Sequence, residues 1–261
     1  MSRQPSGEPR LSGPDLTVAA RCVELSQLAY RTAKDGALRC RNAGYVDYRF
    51  IESRGGRDVA ILVSEPNRHY LAFRGSDELK DWLTNLALWR TPTEMGRIHT
   101  GFLKTAEALL PSISTAIRSL APGPIIFTGH SMGGALAPLC ALSLSTSAEH
   151  PISVYSFGQP SVGGISHARY VRSRKDVPYF RFVHGADAIA VWGMSEHLLA
   201  GTPCYFDHRG HLIVDRATLS RPKLGLYFHR MEQYRFLLRL NQMKQESERC
   251  DEAITQLDTR R

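Results

Sequence analysis

Apolar residues recur along this chain in two rhythms, and the switches between them mark its elements. After Asp15, a suitable N-cap, Leu16, Ala20, Val23, Gln27 and Tyr30 share roughly one stripe, predicting a helix to about Tyr30. Short β-branched and apolar runs then predict strands at Tyr48–Ser53, Val59–Glu65 and Tyr70–Arg74, with Gly55-Gly56 closing the first two as a hairpin. A helix is expected from about Phe102 to Leu120, a buried strand at Ile125–Thr128, and an apolar helix reaching Leu144. Strand Ser153–Phe157, a helix near His167–Ser173 and strand Tyr179–Val183 come next. Cys204–Asp207 and His211–Val214 read as a hairpin turning at Arg209-Gly210. A final helix runs from about Tyr227 to Lys244, and the charged, apolar-poor stretch from there to Arg261 is expected to continue a helix before fraying. Strands alternating with helices predict an α/β fold with a mostly parallel sheet covered on both faces.

Composition narrows the setting. With 261 residues, 43% of them hydrophobic, the chain can bury a full core. One domain is expected over residues 16–245, between a turn-rich tail at 1–15 and a charged tail at 246–261. No apolar segment follows the first basic residues, so no secretory signal is read there. The longest apolar stretch, Ala135–Leu144, is too short for a transmembrane segment and contains Pro138. Five scattered cysteines (Cys22, Cys40, Cys140, Cys204, Cys250) read mostly as buried or incidental thiols and fit a reducing compartment better than a disulfide framework, which, with no signal read, predicts a cytoplasmic protein. The net charge of +8 is dispersed, with no basic run or aromatic-basic motif, so a nucleic-acid partner is not expected.

The chemistry enters at Gly129-His130-Ser131-Met132-Gly133. A strand precedes this G-x-S-x-G and a helix follows it, which is the setting of a nucleophile elbow. Nothing bulky can lie two residues from a serine on so sharp a turn, and Gly129 and Gly133 meet that need. A serine hydroxyl needs a base to take its proton, and the base needs an acid to orient it. The chain order serine, acid, histidine removes His69, His99 and His130 as the base and leaves His197, His208, His211 and His229. His208 and His211 sit at a hairpin turn, whereas His229 stands at the mouth of the last helix and is preferred. Asp187 lies just past the carboxyl end of a strand, where open α/β sheets gather reactive groups, and is the preferred acid. Asp176 lies at the wrong end of that strand, and Asp207 and Asp215 suit hairpin turns. Two N–H donors are needed for the oxyanion, from Met132 and from Ser76 after the turn at Gly75.

Taken in order, these segments resemble the class 3 lipases, the fungal-lipase-like branch of the α/β-hydrolases. The series is Leu25 to Tyr30, Phe73-Arg74-Gly75-Ser76, Asp81 to Leu86, His99 to Phe102, Gly129 to Ala137, Phe157-Gly158-Gln159-Pro160, Arg181 to His184 before Asp187, and His229 to Tyr234. The resemblance implies an α/β-hydrolase fold, Ser131, Asp187 and His229 as triad, and an oxyanion hole from Ser76 and Met132. It also implies hydrolysis of carboxylic esters of lipids through an acyl-enzyme, with no metal or organic cofactor. A phospholipase A or a soluble-ester carboxylesterase is the alternative activity. An inactive hydrolase fold binding a lipid or partner is the alternative outside the enzymes. The chain departs from the family at Ala188 to Trp192, where Val-Pro is usual after the acid, and at Ser161, where a basic residue is usual. Pro138 predicts a kink or a shortened first segment in the elbow helix. Secreted fungal members carry a signal and disulfides, and their absence here argues for an intracellular relative, with signal-independent export left open.

Between the oxyanion strand and His99, Leu79, Trp82, Leu83, Leu86 and Trp89 form an apolar stripe at helical spacing. In the resembled family this region is a short lid that opens at lipid surfaces, which would give a transient lipid-surface contact. A helix packed on the core with Trp82 as anchor has the same pattern, and both readings stay open. A lid of this kind makes hydrolysis rise abruptly once an ester substrate exceeds its solubility. Initial rate against substrate concentration measures this, and a smooth hyperbola through that point counts against the lid.

Overall fold

The computed structural model describes residues 13–76, 89–146, 149–185, 187–191, 200–214 and 225–258. Asp15 caps α1 (Leu16–Leu28), its Oδ1 accepting from the backbone N–H groups of Thr17 at 2.8 Å and Val18 at 3.1 Å. A helix not expected from the sequence follows, α2 (Ala33–Asn42), capped by Thr32. Strands β1 (Asp47–Glu52), β2 (Val59–Glu65) and β3 (Arg68–Phe73) form an antiparallel meander. A small hairpin, β4 (Arg90–Thr93) and β5 (Gly96–His99), also escaped the sequence reading, because its short strands carry almost no apolar alternation.

The parallel part of the sheet comes next. α3 (Thr100–Ile117) leads to β6 (Ile125–His130), α4 (Met132–Ser145), β7 (Ile152–Phe157), α5 (Ile165–Ser173) and β8 (Tyr179–His184). The short α6 (Ala188–Val191), β9 (Thr202–Phe206), β10 (Leu212–Val214), a 3-10 turn (Leu226–His229) and α7 (Met231–Asp258) complete the chain. The last helix continues past Lys244, as expected, and α7 is helical to Asp258.

The eight strands lie in the order β1-β2-β3-β6-β7-β8-β9-β10, parallel from β3 to β9 and antiparallel at both ends. Period-two alternation sends successive side chains to opposite layers. Leu71, Phe73, Phe127 and Val154 pack with Phe102, Leu109, Leu136 and Leu139 of α3 and α4. Ile61, Val63, Phe157, Phe182 and Phe206 pack with Val23 and Leu25 of α1 and Leu238 of α7. Across that second face, Phe157, Phe182 and Phe206 stack with centroids 5.0 and 6.1 Å apart.

The expected shortening at Pro138 does not occur: α4 is helical throughout Met132–Ser145. Gly133 to Leu142 are all buried, and burial on every side stabilises a helix enough to absorb one missing backbone donor. The tightest contact in this layer is at Gly133, where an added Cβ would stand 2.2 Å from the Phe73 carbonyl oxygen. Gly133→Ala must therefore push backbone apart and is expected to lose about 1–3 kcal/mol in urea unfolding. Gly55, where an added Cβ would meet nothing within 4 Å, serves as control, and Gly55→Ala is expected to stay within about 0.5 kcal/mol.

Candidate active site

Three parallel strands end at one edge of the sheet, and the candidate residues leave from those ends. Ser131 follows β6 with φ 58° and ψ −123°, the one non-glycine residue with positive φ among the described residues. The turn is possible because Gly129 and Gly133 nearly touch: a Cβ on Gly129 would lie 2.2 Å from the Gly133 carbonyl carbon. The Ser131 N–H donates to the Phe157 carbonyl at 3.0 Å, tying the elbow to the end of β7. Met132 begins α4, where the first N–H groups have no acceptor within the helix. Phe73 pairs with Gly129, so Gly75 and Ser76 emerge beside the elbow, and a Cβ on Gly75 would stand 2.9 Å from the His130 carbonyl oxygen.

Asp187 lies past the end of β8 and is fully buried. An isolated parallel bridge to Gly225 brings in the segment that carries His229. His229 Nδ1 stands 2.9 Å from both carboxylate oxygens, which makes Nδ1 the protonated nitrogen and leaves Nε2 free to accept a proton. Oδ1 also accepts from the Ile189 and Ala190 N–H groups at 2.8 and 3.1 Å, and Oδ2 from the Tyr234 hydroxyl at 2.5 Å. Burial alone would push this carboxyl up, but the His229 and Tyr234 bonds and the Ala190 N–H outweigh it and hold it below the ordinary carboxylate range. Ser131 Oγ and His229 Nε2, the atoms that proton transfer would join, are both buried without a hydrogen-bond partner among the described residues.

The structure thus brings Ser131, Met132, Ser76, Asp187 and His229 to one edge of the sheet. His208 and His211 are exposed at the β9–β10 turn, and the Asp207 carboxylate accepts from the Arg209 and His211 N–H groups there. Asp176 pairs with Arg174 on the surface. His197, Asp215 and the stripe residues Leu79, Trp82, Leu83 and Leu86 lie outside the described residues, while Trp89 is 75% exposed. His229 ends a 3-10 turn, ahead of the last helix rather than within it.

Two further residues shape the site. The His130 Nε2–H donates to the His229 carbonyl at 2.6 Å, and the two rings lie 4.6 Å apart. The Tyr234 hydroxyl serves Asp187 and also accepts the His184 N–H at 3.2 Å. Met231, Tyr234, Leu238 and Asn241 recur at helical spacing on the buried stripe of α7, a signal that aims Tyr234 at the sheet below the base. Among the described residues no group of three or more metal-type ligands is present.

This fold is that of an α/β-hydrolase. A triacylglyceride lipase of Rhizomucor miehei superposes with a TM-score of 0.66 at 21% identity, over 82% of this chain and 91% of that one. Lipase II of Rhizopus niveus gives 0.67 at 20% identity, over 82% and 92%. The family model for class 3 lipases matches residues 70–193. In sequence, a lipase of Rhizomucor miehei is 33% identical over 131 residues, 46% of this chain and 36% of that protein. A secreted mono- and diacylglycerol lipase of Fusarium solani is 29% identical over 126 residues, 46% and 37% of the two chains. Over residues 70–193 the chain is similar to the class 3 lipases, and it spans about a third of the length of these first curated relatives.

The cytoplasmic location expected from the cysteines is corrected by these matches, because the relatives include enzymes named as secreted. Cys22, Cys40, Cys140 and Cys204 are buried and burial pushes the first three thiols up, so they act as small apolar side chains in any compartment.

Burial, followed by the neighbouring His229, lowers His130 to about 3. Between about pH 6.5 and 3 the unfolded chain then binds a proton at His130 that the folded one does not, so stability falls as pH drops through that window. His130→Gln is expected to flatten that fall by up to about 1.4 kcal/mol per pH unit, measured by urea unfolding at pH 4, 5, 6 and 7.

Proposed function

We propose that this protein is a serine hydrolase that cleaves carboxylic esters of lipids, with acylglycerols as substrates. The observation that carries the reading is the dry arrangement at the carboxyl edge: Asp187 holds His229 by Nδ1, and the base's unpartnered Nε2 is buried, as is the strained Ser131 Oγ. The acylglycerol class rests on relatives whose names state it, among them a triacylglycerol lipase of Ricinus communis, 24% identical over 78% of this chain and 52% of that one. Secretion, as those mono- and diacylglycerol relatives are named, is the location that goes with this reading.

In the proposed reaction Ser131 Oγ bonds to the ester carbonyl carbon as its proton passes to His229 Nε2. The carbonyl oxygen becomes an oxyanion held by the Met132 and Ser76 N–H groups. Asp187 stays ionised and balances the imidazolium, with Tyr234 and two backbone N–H groups keeping the carboxylate in place. Collapse breaks the bond to the alcohol oxygen, which leaves with the proton from His229. Water then gives its proton to His229, attacks the acyl-enzyme, and releases the fatty acid as Ser131 recovers its hydrogen. Each step uses side chains and backbone N–H groups of this chain, and water. Among the described residues no helix is long and apolar enough to cross a membrane.

A fluorophosphonate should label the folded wild-type protein, and Ser131→Ala should abolish that labelling. Hydrolysis of an emulsified diacylglycerol should fall by at least about 10⁴-fold in the same variant. Failure of well-folded wild type to label would defeat the proposal. Hydrolysis of short soluble esters with none of acylglycerols would refute the substrate class alone.

A further inference from the structure

Arg181 sits in the middle of β8 and is 2% exposed. Taking a guanidinium out of water is costly, and well-packed apolar residues fill such positions as stably. Its location says what the charge does there. One nitrogen, Nη2, donates to the Gln159 carbonyl at 3.1 Å and to the Ala190 carbonyl at 2.9 Å. Gln159 lies in the turn after β7 and packs on the elbow helix, where a Cβ on Gly134 would meet Gln159 Cβ at 3.3 Å. The residue before it, Gly158, has φ +55°, and a Cβ there would lie 3.0 Å from Asp187 Oδ2 and 3.1 Å from His229 Nδ1. Ala190 belongs to α6, the turn whose start is capped by the Asp187 carboxylate itself. A single buried cation therefore joins the loop packed against the serine's helix to the turn that bears the acid.

We infer that Arg181 is a positioning residue for the proposed reaction: its buried cation clamps the acid's turn to the nucleophile's loop and favours the ionised Asp187 beside the base. The inference rests on the reading of Ser131, His229 and Asp187 as a triad. Asp187 and Tyr234 both feel the Arg181 charge, and burial lowers the guanidinium while they and Tyr179 act against that. The charged and titratable groups facing His229 are Asp187 from the turn after β8, His130 from β6 and Tyr234 from α7, with His184 at the end of β8 also coupled to Asp187. Arg181 acts on this set through Asp187 and Tyr234. With it in place the Asp187 carboxylate keeps the charge that balances the imidazolium as the oxyanion forms. Without it the Asp187 carboxylate is less favoured in its charged form and holds His229 less firmly.

The test uses the full chain as wild type, Arg181→Lys and Arg181→Met, with active sites counted by fluorophosphonate titration and folding checked by thermal unfolding. The pH profile of kcat/KM for a soluble butyrate ester is the readout, together with kcat and KM separately. Arg181→Met is expected to move the acid limb up by at least about half a pH unit. It should lower kcat about tenfold per titrated site, with KM within about twofold. Arg181→Lys, which keeps the charge on a different stem, should leave the limb at the wild-type pH and lower kcat at least about threefold. A merely structural role would reduce the number of titratable sites and leave the limb unmoved. A folded Arg181→Met with the wild-type limb overturns the inference. If Arg181→Met does not fold, Arg181→Lys decides, and wild-type kcat per site in that variant overturns it. Wild type that neither labels nor hydrolyses the ester would instead refute the triad reading beneath it.

Discussion

The steric demand of one residue organises this molecule. Ser131 adopts φ 58° and ψ −123°, a conformation that costs a side-chain-bearing residue of order 1–3 kcal/mol. Such strain persists only where its surroundings over-determine it, and here they do. Gly129 and Gly133 approach so closely that neither can carry a Cβ, and Gly133 lies against the Phe73 carbonyl. The elbow therefore requires β3 beside β6 and α4 packed flat on both. The Ser131 N–H adds the end of β7 to the same requirement. Three parallel strands are thus brought into register at the edge where Ser76, Ser131 and Gly158 leave the sheet.

A second constraint follows from dryness. A fully buried carboxylate stays ionised only if its lone pairs are occupied, and Asp187 accepts from four groups: His229, Tyr234, Ile189 and Ala190. Two of these donors are backbone groups of α6, so the same carboxylate that orients the base also starts the helix that holds it in place. The resembled family usually has Val-Pro after its acid, and this chain has Ala188-Ile189. Capping explains how it manages without a ring to fix the turn, since proline at position 189 would remove a donor that Asp187 uses.

Legibility from sequence tracked how local each signal was. Strands β1 to β3 and β6 to β8 and the helix after Asp15 announced themselves because apolar periodicity and capping act over a few residues. Ser131 was legible because glycine is needed two residues to either side of it. Asp187 and His229 were reachable only through chain order and strand ends, and their mutual contact spans 42 residues. Tyr234 and His130 could not be given roles, because each role is a long-range bond from a residue that also reads as ordinary core. Helix α2 and the β4–β5 hairpin were missed for the opposite reason: with Gly36 and Cys40 the fully buried residues of α2, it has little apolar stripe to read. The cysteines misled because an odd, scattered set describes buried packing as well as it describes a reducing compartment.

Pro138 shows how tertiary burial overrides a rule that holds for isolated helices. A proline at the seventh residue removes the donor to Gly134 and crowds that carbonyl, which predicts a break. Yet α4 lies between layers, with every residue from Gly133 to Leu142 buried, so breaking it would expose apolar surface on all sides. Burying a single leucine or phenylalanine contributes about 1.5–3 kcal/mol, comparable to the proline's penalty of about 3 kcal/mol, and α4 buries several. The sum favours the continuous helix. Continuity matters to the site as well, because Met132 and Ser131 stand at the start of that helix and the elbow geometry is only as fixed as the rod behind it.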